Sequence, residues 1–305
     1  MSKKLAVDDK PEAPLFEPTG THVLKAEHIT QTFLDDNGNE TWAIDDFSLT
    51  VSGPEVVGII GPSGCGKSTF LRLVVGLDQP LAGTITFDGE PVNGPDVRRA
   101  MVFQNANLFE WLTVEENIAF GLKANHLYAE MSYKIPRLIK MMQLEGFENA
   151  YVPQISGGMA SRCALARTFV LNPALVCFDE PLSALDAFTR AALQDQILMM
   201  QAQAHTSMIL VTHDIEEAVY LCDRVVVMSP RPGRKIGELA IDLPHPRDRV
   251  SEEFVEYRRQ LLDLLHQGGG QRGISASRDE RQPVSRTGGQ QRAYGKSTGN
   301  ERNIV

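Results

Sequence analysis

The sequence has no apolar run approaching the length that crosses a bilayer, so any membrane association has to pass through a partner. No long apolar segment follows the first residues, Met1 to Asp9, which argues against a secretory leader. The four cysteines, Cys65, Cys163, Cys177 and Cys222, lie scattered without CxxC spacing. Three of them stand in apolar stretches, where a thiol packs as a small hydrophobe, and a reducing, cytoplasmic setting is expected. Positive charge is in deficit. The net charge of −9 gives no ground for broad attraction to nucleic acid. There is no internal repeat. What is present is ordinary for a globular chain, 42% hydrophobic and 23% charged, and 305 residues suffice for one large core or two modest domains.

One stretch organises the rest: Gly61-Pro62-Ser63-Gly64-Cys65-Gly66-Lys67-Ser68-Thr69. A short β-branched run, Val56 to Ile60, precedes it and suits a buried strand of a parallel sheet. A run of helical spacing, Phe70 to Val75, follows it and stops at Gly76. Strand, glycine loop and helix are the context that a phosphate-binding loop requires. Glycines let successive N–H groups turn inward as an anion nest, and the helix adds the positive end of its dipole. Lys67 then reaches the β- and γ-phosphates, and the Ser68 hydroxyl ligates Mg²⁺. The bland alternative is a glycine-rich turn that binds nothing.

In chain order, residues 1–20 carry Pro11, Pro14 and Pro18 among charges and are expected to form a loose arm. Strands are expected from Val23 to Phe33 and from Trp42 to Val51, around a turn at Asp35 to Glu40. Phe33 and Trp42 read either as core or edge aromatics or, for Phe33, as a platform for a nucleotide base. A strand over Gly83 to Phe87 ends in an Asp88-Gly89 turn, and Ala100 to Phe103 leads into Gln104. From about 107 to 172 the pattern turns helical, with candidates at 113–122, 131–144 and 157–171 and a capping box at Thr113 and Glu116. The sheet resumes at Ala174 to Phe178, directly before Asp179 and Glu180. Helices at 188–204 and 215–221 alternate with strands at Ser207 to Thr212 and Arg224 to Met228, which implies a mostly parallel, doubly wound sheet. Residues 230–250 are expected to run over the surface. A helix over 251–267 is expected to bury Phe254, Leu261, Leu262 and Leu265, and a disordered tail over 268–305, with seven basic and three acidic residues, to follow.

An apolar strand ending in acid is the usual partner of a phosphate loop. Asp179 is positioned to hold Mg²⁺ opposite Ser68, and Glu180 to polarise the attacking water. Alternatively the pair merely opens a loop that Pro181 turns.

Six motifs in order resemble those of the ATP-binding cassette (ABC) ATPases, over about residues 23–228. Besides the loop and the acidic pair, they are Gln104, Ile155-Ser156-Gly157-Gly158-Met159 with Arg162 and Arg167, Ser183-Ala184-Leu185-Asp186, and His213. The resemblance implies a cassette at 21–250: a mostly parallel core sheet, an N-terminal antiparallel β subdomain and an inserted helical subdomain at about 107–172. It implies that Ser156, Gly157 and Gly158 complete the ATP site of a second copy in a head-to-tail dimer. It places Asp186 at the seam, Phe33 on adenine, Gln104 as lid and metal ligand, and His213 with Glu180 at hydrolysis. Met159 stands where the family carries glutamine, which bears on the partner's nucleotide and on turnover. Cys65 is common in the family's loop and invites ATP-protectable alkylation.

Within the family, Asp186 to Arg190, Thr212 to Ala218 and Met228 to Arg234 resemble the ATPase subunit of bacterial nitrate, sulfonate and taurine importers. That implies a separate permease, a substrate-binding protein and a place on the cytoplasmic face of the cell membrane. The folded region is expected to stop near 267, leaving no room for an added regulatory domain. Asn107 to Leu112 is where a permease coupling helix docks, on exposed Phe109 and Trp111, unless both simply pack the helical subdomain. Two competing classes stay open: a cassette acting on nucleic acid or ribosomes, and a degenerate regulatory cassette.

Overall fold

Strands of continuous apolar residues need cover on both faces, and the described residues hold four of them. The computed structural model describes residues 14–17, 20–34 and 38–270. In chain order the elements are β1 (Val23–Leu34), β2 (Glu40–Ser52), β3 (Val56–Ile60), α1 (Lys67–Val74), β4 (Ala82–Phe87), β5 (Glu90–Pro91) and β6 (Arg99–Val102). Then come α2 (Val114–Ala124), α3 (Tyr128–Met131), α4 (Lys134–Met141), α5 (Gly157–Phe169), β7 (Leu175–Asp179), α6 (Ala187–Ala204) and β8 (Ser207–Thr212). The last are α7 (Ile215–Leu221), β9 (Arg224–Met228), β10 (Lys235–Ala240) and α8 (Glu252–Gly270).

One sheet has the order β10-β9-β3-β8-β7-β6, parallel except for β10, and the continuous runs β3, β7, β8 and β9 are its inner strands. The other, antiparallel, has the order β2-β1-β4-β5. Between them lies one core in which Phe47 meets Phe70 edge-on, with ring centroids 4.8 Å apart. A second core joins the opposite face of the parallel sheet to α2, α4 and α5 through Val114, Leu138 and Phe169.

The alternation of strand and helix, the antiparallel subdomain and the helical insertion all appear as expected. The Thr113–Glu116 capping box closes at both ends, and Asp88 and Gly89 both take positive φ in the turn between β4 and β5.

Four expectations need correction. The chain before 20 is held where it is described: Leu15 and Phe16 are buried, Phe16 against Phe169, and Tyr133 Oη donates to the Pro14 carbonyl. The rest of the expected arm, like 271–305, lies outside the described residues. Residues 230–250 include β10, an edge strand whose Ile236 and Leu239 pack on the larger core while Glu238 pairs with Arg224. The final helix extends to Gly270, past the expected start of the tail. On it Phe254 and Leu261 are fully buried and Leu265 partly, but Leu262 is exposed.

Phe254 fixes α8 to the core, so Phe254→Ala should cost about 3–5 kcal/mol through lost burial and a residual cavity. Urea unfolding is expected to show a lower midpoint at unchanged slope, with ATP affinity preserved.

Candidate nucleotide-binding and catalytic site

The strand order decides what can meet. Side by side, β6, β7, β8 and β3 end at Gln104, at Asp179-Glu180, at His213 and at the glycine loop, all along the carboxyl edge of the parallel sheet. Gly64 and Gly66 take positive φ of 75° and 102°. A Cβ on Gly66 would lie 2.8 Å from the Ala43 carbonyl oxygen, so β2 packs hard against the outer side of the loop. Lys67 is buried under it, and its Nζ donates to the carbonyls of Gly61 at 2.8 Å and Pro62 at 3.1 Å.

Ser68 Oγ donates to Asp179 Oδ1 at 2.7 Å. Burial raises the Asp179 carboxyl above its ordinary range, and the neighbouring Glu180 charge adds to the rise. A hydroxyl and a carboxylate in contact are hard oxygen donors of the kind Mg²⁺ takes. Glu180 takes positive φ, 48°, which turns its side chain away from Asp179. Its Oε2 lies 3.1 Å from His213 Nδ1. Gln104 Nε2 donates to Ser183 Oγ, which donates in turn to the Glu180 carbonyl. Gln104 is thus tied to the acidic strand end through Ser183. Phe33, near the end of β1 and opposite Thr41, is half exposed and free to offer a ring face.

The hydrogen bonds described for the start of the Ser156 helix stay within α5. Ser156 caps α5 by accepting from the Met159 N–H at 3.2 Å, and a Cβ on Gly157 would meet open space. A Cβ on Gly158 would sit 2.7 Å from Thr189 Cγ2. Thr189 Oγ1 donates to Asp186 Oδ2 at 2.6 Å, and this bond holds the Asp186 carboxyl below its usual range. Asp186 also caps α6 through the Phe188 and Thr189 amides. Met159 packs, half buried, on the larger core.

Two features escaped the sequence. Arg231 Nε donates to the Gly64 carbonyl at 3.0 Å, across 167 positions, and Gly233 exchanges backbone bonds with Ala43 and Asp45 beside it. Asn117, fully buried, accepts from the Phe109 N–H and donates to the carbonyls of Phe109, Leu112 and Thr113, so it shapes the segment after Gln104. In that segment Trp111 is exposed at 72%, whereas Phe109 is half buried between Trp111, Phe120 and the Arg167 guanidinium. The expectation of an exposed Phe109 is corrected accordingly.

Among known proteins, the family model described as "ABC transporter" matches residues 44–183. An uncharacterized ABC transporter ATP-binding protein of Methanocaldococcus jannaschii is 46% identical over 243 residues, 79% of this chain and 91% of its own. The chain is an ABC ATPase. An aliphatic sulfonates import ATP-binding protein of Bacillus cereus is 42% identical to this ABC ATPase over 74% of this chain and 89% of its own. A solved ATP-binding cassette, dimeric in a post-hydrolysis state with ADP and Pi, aligns at TM-score 0.63 and 28% identity, over 72% of this chain and all of that one. The ABC ATPase binds and hydrolyses ATP.

The Cys65 thiol is buried against Gly61, and burial raises it above its ordinary value, so alkylation that ATP protects against is no longer expected. All four cysteines are buried and unbridged, and a thiol-reactive dye should label none of them in the folded protein, with or without ATP, and all four after unfolding. Gly66→Ala should strain the loop against Ala43 and weaken ATP binding roughly tenfold or more. Equilibrium titration with a fluorescent ATP analogue measures the loss.

Proposed function

We propose that this ABC ATPase energises uptake of a small anion, of the nitrate, sulfonate or taurine kind, by closing on ATP as a head-to-tail dimer. The observation that carries the dimer is the Ser156 helix. It is a capped helix start with open space at Gly157, and the hydrogen bonds described for Ser156 and Gly157 run to Met159, Ala160 and Ser161 within α5 rather than to the glycine loop. Such a helix start favours phosphate, and a second copy would supply it to the triphosphate held by the first. The dimeric cassette with ADP and Pi lends support. The sulfonate-import relative supports the direction and class of cargo.

In this reading the amides of Gly61 to Thr69 cradle the phosphates and Lys67 exchanges its two carbonyl bonds for phosphate oxygens. Ser68 and Asp179, with Gln104, would hold Mg²⁺, which would neutralise phosphate charge. Phe33 would lie against adenine. Glu180 would orient a water toward the γ-phosphate while His213 fixes the direction of its carboxylate. ATP binds the closed pair more tightly than the open one and so drives closure, and loss of the γ-phosphate releases it.

The described residues contain no helix long and apolar enough to cross a membrane. A permease would therefore supply the membrane path, docking where Trp111 and Phe120 are exposed beside the Asn117 hub. A substrate-binding protein would deliver the cargo, and the ATPase would sit on the cytoplasmic face. Met159 lends little to a degenerate cassette, because it packs on the core while Ser156 and Gly157 keep their open side.

Glu180→Gln should lower steady-state ATP hydrolysis at least about a hundredfold, within the range that general-base removal produces. With Mg²⁺ and ATP it should elute from a sizing column with light-scattering detection as a dimer that ADP does not sustain. A variant that turns over normally would remove Glu180 from the reaction, and one that stays monomeric with its permease supplied would remove the dimer.

A further inference from the structure

His213 is weakly held for a group at a reacting centre. Its side chain is 60% exposed, and the bond described for its ring is the one to Glu180. Where it points is therefore set by the backbone of residues 212–214.

That backbone is closed into a ring of hydrogen bonds. Thr212 Oγ1 donates to Glu217 Oε2 at 2.5 Å and accepts from the Asp214 N–H at 3.0 Å. Asp214 Oδ1 accepts from the amides of Glu216 and Glu217. Glu217 is 5% exposed, and its other oxygen, Oε1, is buried without a partner among the described residues. A buried carboxyl kept on helix packing grounds alone would be costly, since an apolar residue would fill the place without that penalty. We propose that Glu217 is a positioning residue for ATP hydrolysis: through the Thr212 hydroxyl it fixes the turn that aims His213 at Glu180. This rests on the reading of Glu180 and His213 as the hydrolytic pair.

The charge state follows from the surroundings. Glu217 borders a cavity of about 220 Å³ together with Arg190, Gln194, Asp214, Glu216 and Arg249. Asp214 raises its proton affinity, Arg190 and His213 lower it, and the buried Cys222 thiol lies close behind. Burial outweighs them all and pushes the carboxyl up to about 7. Glu217 thus keeps its proton in mildly acidic solution. A glutamine has nearly the same shape, is uncharged, and can accept from Thr212.

The test measures turnover and ATP affinity separately on the full-length protein for Glu217→Ala, Glu217→Gln, Thr212→Val, Thr212→Ser and the double Glu217→Ala/Thr212→Val. Expected are a fall in kcat of about tenfold or more for Glu217→Ala and for Thr212→Val, with ATP Kd within about twofold (less than about 0.4 kcal/mol). The double variant should fall no further than the worse single, because both changes break one link. Glu217→Gln and Thr212→Ser should recover most of the loss. Thr212→Val keeps the packing volume, so it reports even where Glu217→Ala does not fold. A kcat within twofold of the parent, a matched loss of ATP affinity, or losses that multiply in the double variant would each overturn the proposal. Glu180→Gln run alongside separates the two levels. If it turns over normally the reading beneath fails, and if it is inert while Glu217→Ala is not, this inference alone fails.

Proton linkage checks the charge state. With the folded value near 7 and the unfolded one in the ordinary carboxyl range, the native protein holds a proton that the unfolded chain has released. Its stability relative to Glu217→Gln should therefore decline as pH rises from about 4.5 toward about 7 and stay level above, by urea unfolding. A difference independent of pH would overturn the uncharged state.

Discussion

The phosphate loop keeps its shape because other backbone presses on its outer side. Gly66 lies against the Ala43 carbonyl, Gly61 against that of Met228, and Gly233 against that of Cys65, each with too little room for a methyl group. Arg231 ties off the Gly64 carbonyl from the same side. A loop enclosed this way has little freedom to change shape. Preorganisation of that kind spares the ordering cost when an anion arrives. The antiparallel sheet is part of the site in this sense: β2 carries Ala43, and the bonds between Ala43, Asp45 and Gly233 bind it to the loop that follows β9.

The parallel sheet supplies the other half of the geometry. Because β3, β8, β7 and β6 are neighbours, groups separated by more than 100 positions, such as Ser68 and Asp179, come within hydrogen-bond distance. None of them depends on a long loop to reach the others. The left-handed backbone at Glu180 parts two adjacent acids, so that one faces Ser68 and the other His213. Two carboxylates with two environments and two partners can take different tasks.

How much of this could be read beforehand follows from the kind of signal each residue sends. The loop, the acidic pair, Gln104, Ser156 and His213 could be singled out as candidates because the chemistry proposed for them needs particular residue types next to a strand end or helix start, and that leaves a one-dimensional trace. The fold class was legible for the same reason, through continuous apolar strands alternating with helices. Contacts formed at a distance leave no such trace. Arg231 on Gly64, Leu15 and Phe16 on the helical subdomain, and Asn117 as a polar hub inside α2 look like ordinary residues in the chain. Strand β10 hides between proline-rich flanks, and its alternation is blurred by the ion pairs of Lys235 and Glu238. Burial of Cys65, Glu217 and half of Phe109 depends on what other segments lay over them.

The contact between Gly158 and Thr189 has one more effect. Two helix starts, α5 and α6, abut so closely that a methyl group would not fit between them, and Thr189 spends its hydroxyl on the cap of the second. The two starts therefore touch at this one point. Ser156 caps one and Asp186 the other, so any side chain bulkier than hydrogen at position 158 would push against the cap of α6 as well as its own helix.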